Sequence, residues 1–272
     1  MSDALDAGSV IAYWSREDLG PRILAALAAA GKNVDALTVD DLAITDQFHS
    51  GGKPATVRLA RLAALSPGTR VLDVGGGLGG PSRTLAAEFG CRVTSIDLTE
   101  SYVGAAVMLT ERLRLADRVS HRVGNALDLP FDAGAFDVVW TQNSGMNIAD
   151  KDRLYRELHR VVKRGGLLAI QEPMAGPNHP PVFPVMWARD ASQSFLRPPA
   201  EMRALIEATG FRARAWEDVT AELPGPPAGN VAPAHSVQRL VMGDALEAIV
   251  HAGHQNREEG RIVMVQAVFE RV

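Results

Sequence analysis

Cysteine is almost missing from this 272-residue chain. Cys91 stands alone, which excludes an intramolecular disulfide framework and a cysteine-rich zinc site, fits a reducing compartment and makes the cytoplasm the expected location. Long apolar runs are missing too. Residues 23–30 fall far short of the roughly 18–20 residues that cross a membrane, and the acidic opening Met1-Ser2-Asp3 lacks the basic segment of a secretory leader, so no membrane partner is expected. Excess charge of either sign is small: 28 basic against 32 acidic side chains leave a net −4, with no global pull toward a phosphate backbone. The local cluster Arg112, Arg114, Arg118 and Arg122 is offset by Glu111 and Asp117 and has no aromatic interleaving, so nucleic acid is not an expected partner. Neither H-E-x-x-H nor G-x-S-x-G occurs, which removes the zinc-peptidase and α/β-hydrolase readings. His251 and His254 share a helical face without a third ligand at a recognisable spacing, so no metal is expected, and Cys91 reads as a small core residue.

What is present is a regular alternation. Ala/Leu-rich segments at helical spacing between 19 and 65, broken by Gly20-Pro21, Gly31 and Gly51-Gly52, predict short helices, and residues 1–65 read as an N-terminal helical cap. From 66 onward strands are expected at 71–74, 92–96, 119–123, 136–140 and 167–171, with helices at 81–89, 100–114 and 151–162 between them, the pattern of βαβ units and a parallel sheet. A helix at 201–209, a strand at 212–216, a helix at 237–252 and a strand at 262–269 complete the chain. The proline-rich stretch 173–199 and the Pro/Gly-heavy stretch 223–235 are too long for plain connections and read as lid insertions over a site.

The strand at 71–74 runs into Asp73-Val74-Gly75-Gly76-Gly77-Leu78-Gly79-Gly80, a loop whose glycines let the backbone approach a ligand. Two patterns fit. Gly75, Gly77 and Gly80 satisfy the dinucleotide form G-x-G-x-x-G, which keeps an NAD-dependent oxidoreductase open, whereas Asp73, Gly75, Gly77 and Gly79 satisfy D-x-G-x-G-x-G. A carboxylate at Asp73 would repel a pyrophosphate and attract an ammonium group, which favours the second. Asp97, ending the second strand, suits two ribose hydroxyls under either reading.

With Ile96-Asp97-Leu98, Gly124-Asn125-Ala126-Leu127-Asp128, Phe136-Asp137-Val138-Val139-Trp140 and Arg160-Val161-Val162-Lys163-Arg164-Gly165-Gly166 following in order, the sequence resembles the class I, Rossmann-like S-adenosylmethionine-dependent methyltransferases. Asp46-Gln47-Phe48-His49, Gly79-Gly80-Pro81-Ser82-Arg83 and Met146-Asn147-Ile148-Ala149-Asp150-Lys151 are similar to the branch holding the sarcosine/dimethylglycine N-methyltransferases and other small-molecule enzymes. The resemblance implies an α/β fold, a seven-stranded mostly parallel sheet with an antiparallel last strand, and S-adenosyl-L-methionine as cofactor. It implies further that Asp73, Gly75, Gly77 and Gly79 surround the methionine portion, Asp97 and Leu98 the ribose, and Asn125 with Ala126 the adenine. Asn125 stands where relatives usually carry Asp, and Asn143-Ser144-Gly145 where they often carry a histidine or acid. Gln142, at a strand end, is expected to orient cofactor or substrate because an amide does not titrate.

A sulfonium methyl is already activated, so alignment and exclusion of water are the main tasks, and a base is needed only for an acceptor that arrives protonated. His49, Asn143 and Glu172 are the candidates at the acceptor, each with a structural alternative: a helix cap for His49, an orienting amide for Asn143, an ion pair with a lid arginine for Glu172. Trp187 could stack a substrate or merely pack. The expected activity is methyl transfer to nitrogen, oxygen or carbon of a small molecule; a non-methylating cyclase or pericyclase using the same bound cofactor is the alternative within this fold.

Overall fold

The computed structural model describes residues 2–223 and 236–272. Four helices come first: α1 (Ser2–Trp14), α2 (Leu19–Ala29), α3 (Val39–Asp46) and α4 (Gly52–Leu62). The alternating part follows as β1 (Arg70–Val74), α5 (Gly80–Phe89), β2 (Arg92–Asp97), α6 (Glu100–Arg112), β3 (Val119–Val123), β4 (Phe136–Gln142), α7 (Lys151–Val161) and β5 (Val162–Ala175). Then come α8 (Pro199–Ala208), β6 (Phe211–Asp218), α9 (Val237–Met242), α10 (Leu246–Glu258) and β7 (Ile262–Arg271). The seven strands form one sheet in the order β3-β2-β1-β4-β5-β7-β6, parallel throughout except that β7 runs antiparallel to both neighbours. This is the expected fold.

Alternation along β1 explains how the sheet is covered. Leu72 and Val74 point to a core shared with Leu154, Tyr155 and Leu158 of α7 and Ile206 of α8, while Val71 points the other way, to Leu59 of α4 and Leu85 of α5. Asp73, two residues on from Val71, therefore faces α5. The α7 stripe 151, 154, 155, 158, 161 is the buried face of an amphipathic helix, and Asp150 caps it by accepting from Arg153 N at 2.9 Å. The segment 1–65 shares a core with later elements: Leu19, Ile23 and Leu42 pack with Tyr102 and Leu109 of α6 and with Leu246 and Ile249 of α10.

Three boundaries differ from expectation. α1 lies before the first helix anticipated within the cap. β5 runs on to Ala175, so the stretch expected to begin an insertion at Pro173 is strand; β4 stops pairing at Gln142–Gln171, and a proline is tolerated where no neighbour on that side needs its missing N–H. The single helix expected over 237–252 is two, broken at Gly243, whose φ of 54° no helix continues. Of the stretch 223–235 only Leu223 lies within the described residues. Among the described residues no helix is long and apolar enough to cross a membrane.

Candidate functional site

Chain order reverses between β1 and β4, and the carboxyl ends of the strands there open into a cavity of about 660 Å³, the size and position of a small-molecule site in an open α/β sheet. On one side it is lined by Gly75, Gly77, Asp97, Leu98, Asn125 and Ala126, on the other by His49, Gln142 and Asn143. Nine of the twelve residues singled out from the sequence thus meet at one place. Asp73, Gly79 and Glu172 do not line it, and their geometry assigns them other work.

Gly75, Gly77 and Gly79 take φ values of 73°, 53° and 78°, so the three glycines of the D-x-G-x-G-x-G pattern are the ones whose backbone an L side chain would strain. Gly80 instead begins α5, and a Cβ on it would stand 2.3 Å from the Asp46 carbonyl oxygen, so that glycine serves packing. Asp73 lies beneath the loop. Its Oδ2 accepts from the Ser82 hydroxyl at 2.6 Å, and a Cβ on Gly76 would come within 2.1 Å of Ser95 Oγ and 2.9 Å of Asp73 Oδ2. Burial drives this carboxyl up to about 7, the Ser82 bond opposing and the Asp97 charge adding. Asp73 thus stays out of the cavity lining: the pleat turns it toward α5, where it supports the loop from below.

Asp97 does reach the cavity, its Oδ2 accepting from Gly77 N and its Oδ1 from Thr99 N, both at 2.9 Å, so the carboxylate ties the glycine loop to the second strand. Burial raises its pKa while these amide bonds hold it down. Asn125 uses one side-chain oxygen lone pair on Leu127 N, at 2.9 Å, shaping the turn that places Ala126.

Glu172 is buried under the loop after β4. Its Oε1 accepts from Ser144 N, Gly145 N and Thr141 Oγ1 at 3.2, 2.9 and 3.2 Å, and its Oε2 is buried without a hydrogen-bond partner. It anchors that loop, through backbone amides and not through the lid arginine anticipated. The anchored loop closes on the glycines: Ser144 Oγ donates to Val74 O at 3.1 Å, and a Cβ on Gly75 would lie 2.3 Å from Ser144 Cβ. Asn143, with φ 52°, donates its backbone N–H to Gln171 O at 2.8 Å and accepts on Oδ1 from Gln171 Nε2 at 3.3 Å.

His49 sits in a buried polar network. The Thr84 hydroxyl donates to Gly80 O at 3.0 Å, so it accepts from Gln47 Nε2 at 3.1 Å, which turns Gln47 Oε1 toward His49 Nε2 at 2.9 Å. Thr56 Oγ1 also lies 3.0 Å from Nε2, and Gln142 Nε2 lies 3.5 Å from Nδ1. Beside Nδ1 stands the Ser50 carbonyl, 3.2 Å away, ready to accept if that nitrogen is protonated. Burial pushes the imidazole down to about 4, and the Ser50 carbonyl pulls the other way. The helix-cap alternative for His49 is not what the structure shows.

Sequence reasoning missed two arrangements. Arg83 donates to Asp46 at 2.9 Å with both side chains fully buried, and also to Ala106 O, Thr110 Oγ1 and Leu78 O. The motifs around Asp46 and Arg83 are thus the two halves of one contact clamping the glycine loop to α3. The second is a row of glutamines in register across β4, β5 and β7: Gln142 and Gln266 both donate to Gln171 Oε1, at 3.3 and 2.7 Å, and Gln266 accepts from Arg58, which pairs with Glu217 and Glu222. Amides in otherwise apolar strand runs were the available signal.

Residues 72–170 match the protein family described as a methyltransferase domain. Over that segment the chain is similar to known methyltransferases. It is 38% identical over 118 residues to the glycine/sarcosine/dimethylglycine N-methyltransferase of Actinopolyspora halophila, covering 43% of this chain and 21% of that one. It is 43% identical over 111 residues to the 2-methyl-6-phytyl-1,4-hydroquinone methyltransferase of Synechocystis sp., covering 41% and 34%. The chain thus spans about a fifth to a third of the length of these curated relatives. Geranyl diphosphate C-methyltransferase from Streptomyces coelicolor A3(2) shares the fold over 98% of both chains, with a TM-score of 0.67 at 23% identity. The remainder of the cavity wall comes from outside the matched segment, notably Trp14 of α1, Met186 and Trp187 of the 173–199 stretch, and Ile249 of α10.

Proposed function

We propose that this protein is an S-adenosylmethionine-dependent methyltransferase acting on a small molecule. The observation that supports it most is the convergence of the left-handed Gly75 and Gly77 with Asp97 and Asn125 on one cavity within the segment matching the methyltransferase family. The residues suit that cofactor: Gly77 faces the cavity with only Tyr102 within 4 Å of a notional Cβ, and Asp97 offers carboxylate oxygens to hydroxyls. When bound, S-adenosylmethionine supplies a methyl carbon that passes to a nucleophilic atom while the C–S bonding pair leaves with sulfur as a neutral thioether.

The chain's own residues do the rest. Gly75 and Gly77 hold the methionine portion, Asp97 and Leu98 the ribose, Asn125 and Ala126 the adenine. Gln142 and Asn143, fixed by the glutamine row, orient the acceptor, and His49 takes its proton where one must be lost. The segment 1–65 and the insertion act together as the lid that sets acceptor choice: Tyr13 Oη donates to Met186 O at 3.1 Å, and Asn147 Nδ2 donates to Trp187 O at 2.9 Å. Isothermal titration with S-adenosylmethionine and with NADH tests the reading. Binding of the first and not the second is expected, with S-adenosylhomocysteine released and a product heavier by one methylene. Binding of NADH alone overturns it, and a product of unchanged mass points to the cyclase.

A further inference from the structure

The turn after β3 keeps its acceptors for itself and leaves its donors over. Asn125 and Ala126 both line the cavity, and Asn125 Oδ1 accepts from Leu127 N at 2.9 Å. A backbone N–H can only donate, so the side-chain atom facing Leu127 is the oxygen, and this one contact settles which way round the amide lies. Nδ2 is the other end of that amide, and it makes no hydrogen bond among the described residues. Further acceptors of the turn are spent inside the fold: Asn125 O accepts from Asp128 N at 3.1 Å, and Leu127 O from Arg153 Nε at 2.8 Å. The Ala126 N–H, by contrast, meets no acceptor among the described residues. Two adjacent residues of the cavity wall thus carry N–H groups with nothing to donate to.

The surroundings of this turn are apolar. A Cβ on Gly124 would stand 2.4 Å from Ile96 Cδ1, and Ile96, Leu98, Leu127 and Ile148 line the cavity together with the turn. A flat ring entering between such walls displaces the water that serves these N–H groups, so it is held well only where it brings acceptors of its own. Adenine carries both kinds of group: its ring nitrogens accept, and its 6-amino group donates. Asn125 Nδ2 set against the amino group opposes donor to donor, whereas set against a ring nitrogen it gains a bond.

Resting on the methyltransferase reading, we infer that Asn125 determines base specificity by donating: its Nδ2 and the Ala126 N–H hold ring nitrogens of the cofactor's adenine, and the 6-amino group is left unread. Asn125→Asp keeps the bond to Leu127 N with one oxygen and puts an acceptor where this chain has Nδ2, so a single exchange of NH2 for oxygen reverses what the turn asks of the base.

Isothermal titration compares S-adenosylhomocysteine with its analogue carrying unsubstituted purine in place of adenine, which keeps every ring nitrogen and lacks only the amino group. The native chain is expected to bind the two within about threefold of each other, because the amino group has no partner to lose. In Asn125→Asp, S-adenosylhomocysteine should be preferred over the analogue by about tenfold, the new carboxylate oxygen accepting from the amine. Any general effect of the added charge acts on both ligands and drops out of the ratio, and an unchanged melting temperature shows that the turn is intact. A native preference of about tenfold or more for the amino-bearing ligand overturns the inference. A ratio that Asn125→Asp leaves where it was overturns it as well. Binding of neither ligand defeats the methyltransferase reading itself, and the inference falls with it.

Discussion

The two halves of the cavity are built differently. The half proposed for the cofactor comes from adjacent pieces of chain, the loops after β1, β2 and β3, and its contacts are mostly backbone: left-handed glycines, amides bonded to Asp97, a turn closed by Asn125. The half proposed for the acceptor is gathered from α1, the segment around His49, the 173–199 stretch and α10. Backbone geometry demands particular residue types and leaves a pattern in sequence, whereas an apolar wall accepts any side chain of suitable volume and leaves none.

The comparison can be broken hardest at the clamp joining the halves. Arg83→Met strands the buried Asp46 carboxylate and is expected to cost about 3–5 kcal/mol in urea unfolding; a change under about 1 kcal/mol would show that the clamp is not a single structural unit. Next comes Gly75→Ala, which puts a Cβ 2.3 Å from Ser144 Cβ at positive φ. Strain of roughly 1–3 kcal/mol should weaken calorimetric cofactor binding by about tenfold or more. Asp97→Asn, which keeps shape and removes charge, should lower cofactor affinity by about tenfold without altering the melting temperature by more than a few degrees. Met186→Ala touches only the acceptor wall: cofactor affinity stays unchanged and the KM for an apolar acceptor rises severalfold.

The smallest effect at neutral pH comes from His49, and it sharpens the contrast. Its folded pKa is depressed from 6.5 to about 4, so its contribution to stability is complete above pH 6.5 and is lost as pH falls through 4. His49→Gln should flatten that part of the stability profile measured by urea titration at several pH values, and an unchanged slope would count against a neutral imidazole.

Most of the fold was legible because β1, β2 and β4 are short apolar runs at fixed spacing between helices, and the left-handed residues Gly75, Gly77 and Gly79 could be picked out in advance. The surroundings of Asp73 were hidden for a physical reason: its position in the motif is visible in sequence, but the pleat that turns it toward Ser82 depends on which face α5 covers. Glu172 was misread similarly, since its partners are backbone amides 27 and 28 residues away, which no side-chain pattern announces. Gln142, Gln171 and Gln266 form a row only once strand order brings β7 beside β5.

The Asp46–Arg83 pair also determines how the molecule comes apart. Peeling α3 from α5 would leave a guanidinium and a carboxylate facing each other's absence in a dry interior, so the leading helices have no low-energy route to melt alone. Amide protons in α3 and α5 should therefore exchange with solvent at a common, late rate, as one cooperative block.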